Sequence, residues 1–541
     1  MQRLWKPGIF LVAVLFSLPI FTILSFIVHP SSEIWQHLID TVLGEYLMNS
    51  VLLMLGVGAG TLIIGVGCAW LTSVCVFPGK KFFAWGLLLP LAFPGYIIAY
   101  TYTGMLDYAG PVQTWIRDFT GWGIHEYFFP EIRSLGGATT MFSLVLYPYV
   151  YLLSRAAFLE QSVCVLEVSR TLGCSVWSSF YRVALPLARP AIVAGLSLAL
   201  METLADYGTV SYFGLGVFTT GIFRTWFGLG DAAAAAKLAA ILLMFVFTLV
   251  LIERGSRKRA QYHHTTNRYS NLPQYRLSGY RALLAFCARF VPLLLGFLLP
   301  ALQLGLWALE TYEYMIDASF IELTTNTIML ALSAAVIAVV LALFLAYGKR
   351  LLRSNSVTAS IRVVATGYAI PGTVVAVGVI IPFAWLDNSL DGLLREHFGF
   401  SSGLLLSGSL FAVMFAYMVR FLAISVQSVE SGLVKVKLSM DEAARSLSYT
   451  PMEILMRVHL PLMKGTVLTA FLIVFVDVMK ELPATLILRP FNFNTLAVRA
   501  FELAADERLA DSSTAALMIV VVGLVPVILL SHSIGASRVG S

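Results

Sequence analysis

The chain has 541 residues, 58% of them hydrophobic and 12% charged, with a mean hydropathy of +0.83. Apolar runs of bilayer-spanning length follow one another with short polar loops between, which excludes a soluble globular protein and implies a lipid bilayer as its solvent. The net charge is +6, but the basic residues fall in alternate loops, the pattern of the cytoplasmic side of a membrane protein, so nucleic acid is excluded as a partner.

In chain order, the first half places spans at 8–28, 48–76, 83–106, 137–158, 187–212 and 233–252. The second places them at 289–309, 326–347, 362–386, 404–426, 465–488 and 514–531. The expected fold is therefore all-α and polytopic, with about twelve transmembrane helices in two tandem six-helix halves. Residues 1–252 form the first half and 289–541 the second, joined by a basic cytoplasmic linker, 253–288. That linker carries Arg254, Arg257, Lys258, Arg259, Arg268, Arg276 and Arg281 against Glu253, and its His263-His264 pair is either solvated or a metal site. Arg3 and Lys6 precede the first apolar run, and no small-x-small cleavage site follows, so the run reads as an uncleaved span.

Lys80-Lys81, the stretch from Arg155 to Arg182, and Lys349, Arg350 and Arg353 alternate with acidic loops. Glu33, Asp40 and Glu45 occupy one such loop, and Glu310, Glu313, Asp317 and Glu322 another. This asymmetry places both termini in the cytoplasm. Cys68, Cys75, Cys164, Cys174 and Cys287 fall in spans or on the cytoplasmic side, without C-x-x-C spacing, so no disulfide framework or thiolate metal site is expected.

The halves match as a tandem repeat. Asn49-Ser50 corresponds to Asn326-Thr327, and Phe93-Pro94-Gly95-Tyr96 to Ile370-Pro371-Gly372-Thr373. A proline-glycine break thus interrupts the third span of each half. Such a break either lines a pathway between the repeats or is a packing kink. Gly56, Gly60 and Gly65 supply small surfaces for close helix contact.

Two polar stretches, about 160–186 and 430–461, repeat at one constant offset. In the second, Asp441-Glu442-Ala443-Ala444 leads to Ser448, then Thr450-Pro451-Met452-Glu453, then Val458-His459-Leu460-Pro461. Thr450 reads as an N-cap with proline at the first helical position and Glu453 three residues on. In the first, Glu167 aligns with Glu442, Gly173 with Ser448, Ser175 with Thr450, and Leu185-Pro186 with Leu460-Pro461. Serine at 448 weakens a left-handed helix stop that glycine adopts at least steric cost.

Each half also carries two acids late in its fifth span. Glu202 and Asp206 align with Asp477 and Glu481, and a spacing of four places each pair on one helical face. Counted from Leu187, Glu202 lies about 22 Å along its helix at about 1.5 Å per residue. Intramembrane acids mark pathways, although Asp206 and Glu481 also read as interfacial and Lys480 as a neutralising neighbour. Oxygen ligands suit a hard trivalent cation, and they suit an organic cation equally. Glu202 and Asp477 are the candidates for transient metal contact. Further on, Arg224 aligns with Arg499 and Asp231 with Asp506, in amphipathic outer loops that read either as binding-protein docking surfaces or as interfacial anchors.

The repeated polar stretches resemble the E-A-A-x-x-x-G…I-x-L-P loop of binding-protein-dependent ABC importer permeases. That resemblance implies ATPase docking through Glu167, Gly173, Ser175, Leu185, Pro186, Glu442, Ala443, Ala444, Ser448, Thr450, Leu460 and Pro461. The segments ETLADYGTVSYFGLGVFTTGIFRTWFGLGDAAAAAKLA and MKELPATLILRPFNFNTLAVRAFELAADERL look like those of fused ferric-iron ABC importer permeases. What this implies is a bacterial inner-membrane, multi-pass permease that receives Fe(III) from a periplasmic iron-binding protein. Two copies of a cytoplasmic ABC ATPase would drive it, with ATP and Mg held on that subunit and no cofactor on this chain. Relatives of similar layout carry thiamine, polyamines, sulfate or phosphonates. No G-x-x-x-x-G-K-[ST] phosphate loop occurs in the chain, so no catalytic residue and no ATP hydrolysis are expected of it. An ion-coupled secondary transporter is the competing class, since intramembrane acids and repeats suit it equally. A membrane-embedded enzyme has neither a histidine-rich metal motif nor a catalytic triad behind it.

Overall fold

A computed structural model describes residues 2–30, 32–123, 126–160, 176–258 and 275–536. The helices that position the site are α1 (Gln2–Ser25), α2 (Leu43–Val74), α3 (Gly95–Leu106), α4 (Leu135–Glu160), α5 (Leu185–Ala205) and the short α6 (Gly208–Tyr212). After α7 (Ala232–Lys258) come α8 (Tyr280–Leu293), α9 (Leu299–Met315), α10 (Ala318–Leu352), α11 (Gly372–Phe398) and α12 (Leu410–Lys435). Then follow α13 (Leu438–Ser446), α14 (Lys464–Met479), α15 (Pro483–Leu488) and α16 (Leu509–Ala536). Among the described residues, ten helical spans are long and apolar enough to cross a membrane, or up to twelve if each of two bent pairs counts as one. The expected all-α polytopic architecture is what the chain adopts; the sheet among the described residues is a two-residue parallel pairing of Cys75–Val76 with Tyr275–Arg276.

Proline explains where the third span of each half breaks. Phe93 and Ile370, each preceding a proline, are extended, and the helices restart at Gly95 and Gly372 with Pro94 and Pro371 as extended N-caps. In the first half the helical segments on either side of this break meet at 91°. Leu-Pro leaves a second mark. Pro186 and Pro461 have no N–H to offer the carbonyl four residues back, and a π turn precedes each Leu-Pro, at Phe180–Ala184 and Leu455–His459. The fifth span is shorter at its outer end than the pattern of apolar residues implies. It stops at Ala205 rather than 212, and in the second half at Met479 rather than 488.

The chain forms two compact units, each assembled from separate stretches. One contains 42–220, 244–313 and 503–541. Its centre is the packing of α2 on α4, where a Cβ at Gly56 would meet the Thr139 side chain at 2.6 Å and one at Gly65 would meet Val150 at 2.7 Å. The expectation of close contact through these small residues holds. Trp70, Phe83, Tyr147, Tyr151, Phe158 and Phe180 fill the adjoining core, with Leu293 of α8.

The other unit contains 1–41, 221–243 and 314–502. Here α10, α12 and α14 pack together, and α1 lies against α11, where a Cβ at Gly378 would meet the Pro19 carbonyl at 2.6 Å. Trp5 of α1 stacks on Phe344 at 4.8 Å and meets Tyr347 edge-on at 5.8 Å. The sequence halves and the compact units therefore do not coincide. The opening span of each half contributes its apolar face to the unit that holds the core of the other half.

Candidate functional site

The second candidate docking element follows from its local sequence. Helix α13 ends in a left-handed residue, Ser448, at φ +63°. The Tyr449 N–H reaches the Ala444 carbonyl at 3.1 Å and the Ser448 N–H reaches that of Arg445 at 2.9 Å, the double bond of a Schellman stop. The turn that the serine weakens therefore forms. Two residues on, Thr450 caps the next helix as its spacing implies. Thr450 Oγ1 accepts from the Glu453 N–H at 3.4 Å, and the Glu453 carboxylate accepts from the Thr450 N–H at 2.8 Å, with Pro451 at the first helical position. Glu442, Ala443, Ser448 and Thr450 are exposed, Ala444 is buried, and Leu460 and Pro461 lie at the half-buried to exposed end. Leu447, Met452 and Met456 are each at least half exposed on the same element.

Beneath it lies a charge cluster that sequence reasoning did not single out. Arg350, in the last turn of α10, donates to Asp441 through Nε at 2.8 Å and Nη2 at 3.2 Å. It also reaches the Leu433 carbonyl at 2.6 Å and the Val436 carbonyl at 2.9 Å, at the end of α12. Asp441 Oδ1, which also accepts from Arg350 Nη2, lies 2.8 Å from His459 Nε2, and the imidazole is fully buried beside Tyr347, ring centroids 5.2 Å apart. The available signal was the position of Asp441 and His459 within one amphipathic stretch, together with an arginine at a helix end. Of the first docking element, Glu167, Gly173 and Ser175 lie outside the described residues, as do Cys164, Cys174 and His263-His264. Leu185 and Pro186 follow the π turn and open α5.

The paired acids depart from the one-face expectation. Glu202 is half-buried within α5, but Asp206 is the residue after its end, with extended backbone at ψ 136°. Its carboxylate turns to the next helix, accepting the Thr209 N–H at 2.8 Å and the Thr209 hydroxyl at 3.1 Å. In the second half Pro483 opens α15, and Glu481 accepts the Ala484 N–H at 2.9 Å. A spacing of four shares a face only inside a continuous helix, and both helices stop between the two acids. Glu481 is also paired with Arg420 of α12, and both are buried. Asp477 pairs with Lys480 at 2.9 Å, as the neighbouring positive charge suggests.

Both junction acids abut the proline-glycine breaks. A Cβ at Gly95 would meet Thr209 Oγ1 at 2.9 Å and Asp206 at 3.2 Å, and one at Gly372 would meet Glu481 at 2.7 Å. At Gly372 a methyl group would have to displace the acid, and at Gly95 it would meet the threonine hydroxyl first.

The outer candidates lie on separate elements. Arg224 is exposed at the start of a π turn, Arg499 is half-buried in Leu496–Ala505, and Asp506 is exposed just beyond it. Asp231 caps α7, accepting the Ala234 N–H at 2.9 Å, and its other oxygen takes the Ser32 hydroxyl at 2.5 Å. Burial pushes its pKa up, but these hydrogen bonds, that of Ala233, and Lys237 outweigh it and hold the carboxyl below the usual range. Arg489, Asn494 and Glu502 form a further network in these loops, with Arg489 to Glu502 at 2.8 Å. Among the described residues no cluster of three or more His, Cys, Asp or Glu side chains is placed to hold a metal ion.

Comparison with known proteins agrees with this architecture. Residues 82–258 match the family described as binding-protein-dependent transport system inner membrane component. A Haemophilus influenzae Fe(3+)-transport system permease protein is 25% identical over 90% of this chain and 90% of its own. An Actinobacillus pleuropneumoniae ferric transport system permease protein is 23% identical over 81% of this chain and 64% of its own. The Escherichia coli molybdenum transport system permease protein is 28% identical over 37% of this chain and 89% of its own. The chain is thus a polypeptide with many candidate membrane spans whose residues 82–258 match the inner membrane component of binding-protein-dependent transport systems.

Proposed function

We propose that this chain is the permease of an ATP-driven importer that moves Fe(III) from a periplasmic binding protein into the cytoplasm. The observation that carries the cargo is the similarity to a Fe(3+)-transport permease along nine-tenths of both chains. Similarity to the molybdenum permease covers little more than a third of this chain, so it speaks for shared architecture rather than for cargo. The chain lies in the bacterial inner membrane with both termini in the cytoplasm. Two copies of a separate ATPase, holding ATP and Mg, dock on the elements at about 160–186 and 430–461. The exposed Leu447, Met452 and Met456 support this, since flexible apolar side chains on a polar loop want a partner surface. Transport then follows as a two-state switch, with binding protein and nucleotide each favouring one arrangement.

Glu202 and Asp477 remain the candidates for contact with the cargo, while Asp206 and Glu481 serve the helix junctions as caps. Uptake of radiolabelled Fe(III) tests the reading, in cells lacking the chain and complemented with wild type or with Glu202→Ala/Asp477→Ala. Uptake restored by wild type and not by a stably inserted double variant supports an iron path past those acids. Restoration by both retains iron and gives the acids a structural role. Absence of any iron phenotype in an iron-starved strain would sink the cargo assignment.

A further inference from the structure

The Arg350–Asp441–His459 cluster belongs to one half only. The equivalent positions of the first half are Ser73, Leu166 and Ala184. Ser73 spends its hydroxyl on its own helix, reaching the Ala69 carbonyl at 2.8 Å, and Ala184 is fully buried at the end of the matching π turn. The backbone device is therefore common to both halves and the charge cluster is not.

In the second half one guanidinium joins three helices. It extends from the end of α10, caps the last carbonyls of α12 and grips Asp441 of α13. Asp441 extends the connection to His459 on the π turn that leads into α14. Side-chain exposures of 11% for Arg350, 8% for Asp441 and 0% for His459 keep water from competing for these bonds. A forked guanidinium–carboxylate pair also fixes orientation, which an apolar contact does not. A buried ion pair of this kind adds little net stability against an apolar replacement, so geometry is the property it supplies.

We propose that Arg350, Asp441 and His459 are positioning residues that form a rigid strut, carrying movement of the second docking element into α10 and α12, and that the two halves transmit the ATPase stroke unequally. This rests on the docking assignment made under the proposed function. The first element, without the strut, follows its ATPase through apolar packing at Phe180 and Ala184.

The test uses the full chain assembled with its ATPase and iron-loaded binding protein in vesicles, and compares wild type with Asp441→Asn, His459→Gln, His459→Ala and Ser73→Ala. The primary readout is ATP hydrolysed per iron delivered. Asp441→Asn and His459→Ala are expected to raise that ratio about ten-fold, within the usual range of coupling between sites, with the ATPase still co-purifying. His459→Gln, whose amide can still donate to Asp441, and Ser73→Ala are expected to stay near wild type. An unchanged ratio in Asp441→Asn overturns the strut, and so does loss of the ATPase from that variant, because the lesion then lies in docking. The second readout is amide hydrogen exchange over 438–462, which does not depend on cargo. It is expected to quicken about ten-fold in Asp441→Asn, with 176–186 unchanged, and equal exchange in both proteins overturns the strut. A wrong cargo shows separately, as wild type that delivers no iron.

Discussion

The two halves share a backbone plan and differ in how they treat buried charge. Both break the third span at Pro-Gly, both place a π turn before Leu-Pro, and both set an acid just beyond the end of the fifth span. In the second half those features are tied by ion pairs, Arg420 with Glu481 and Arg350 with Asp441. In the first, the position equivalent to Arg420 is the buried Val145, and Asp206 is held by the Thr209 amide and hydroxyl. The difference teaches that prolines and glycines specify the route of the chain, because they act through sterics and missing donors at single positions. Charges adjust how stiffly neighbouring helices are held on that route.

The largest effect expected from this contrast is at Arg420. Arg420→Leu strands Glu481 in the interior and should cost about 3–5 kcal/mol, read as a lower unfolding midpoint of the purified protein. Val145→Ala in the first half removes only apolar volume and should cost about 2 kcal/mol. Arg420→Val/Glu481→Gln, which removes both members of the pair, should recover much of the loss. A single variant as stable as wild type would show that the pair does not hold the junction.

Next come the glycines at the breaks. Gly372→Ala drives a methyl group towards Glu481 at 2.7 Å and should cost about 1–3 kcal/mol by overpacking. Gly95→Ala meets first a threonine hydroxyl that can rotate, so its cost should be the smaller of the two. Equal losses would mean that the ion-paired acid is no stiffer than the hydrogen-bonded one.

Ser448→Gly works in the opposite direction. It removes the penalty of a left-handed residue bearing a Cβ, about 1 kcal/mol, and should slow proteolysis at the 447–449 turn. The smallest effect is the acid limb of stability contributed by Asp231. Its folded pKa is depressed, so its contribution is present above the unfolded value of about 3.9 and is lost as pH falls through the lower folded value. Asp231→Asn should flatten that part of an acid-unfolding curve.

Much of the architecture was legible because the bilayer imposes long apolar runs. The capping box at Thr450, the close packing at Gly56 and Gly65, and the breaks at Pro94 and Pro371 were readable for the same reason: each is a local rule that one or a few residues satisfy. The paired acids were misplaced as one helical face because the end of a helix is not written in its acids. Asp206 leaves α5 to cap α6, and Pro483 restarts the chain beyond Glu481.

The sequence by itself determined the membrane class, the proline-glycine breaks and the local grammar of the 438–462 stretch, since these depend on composition, period and local sterics. Only the tertiary structure decided which cations meet which acids: Arg420 with Glu481, and Arg350 with Asp441, come from helices far apart in the chain. It also decided that the opening span of each half packs in the unit containing the other half's core. An apolar face fits many partners equally well in sequence, and only the assembled packing selects one.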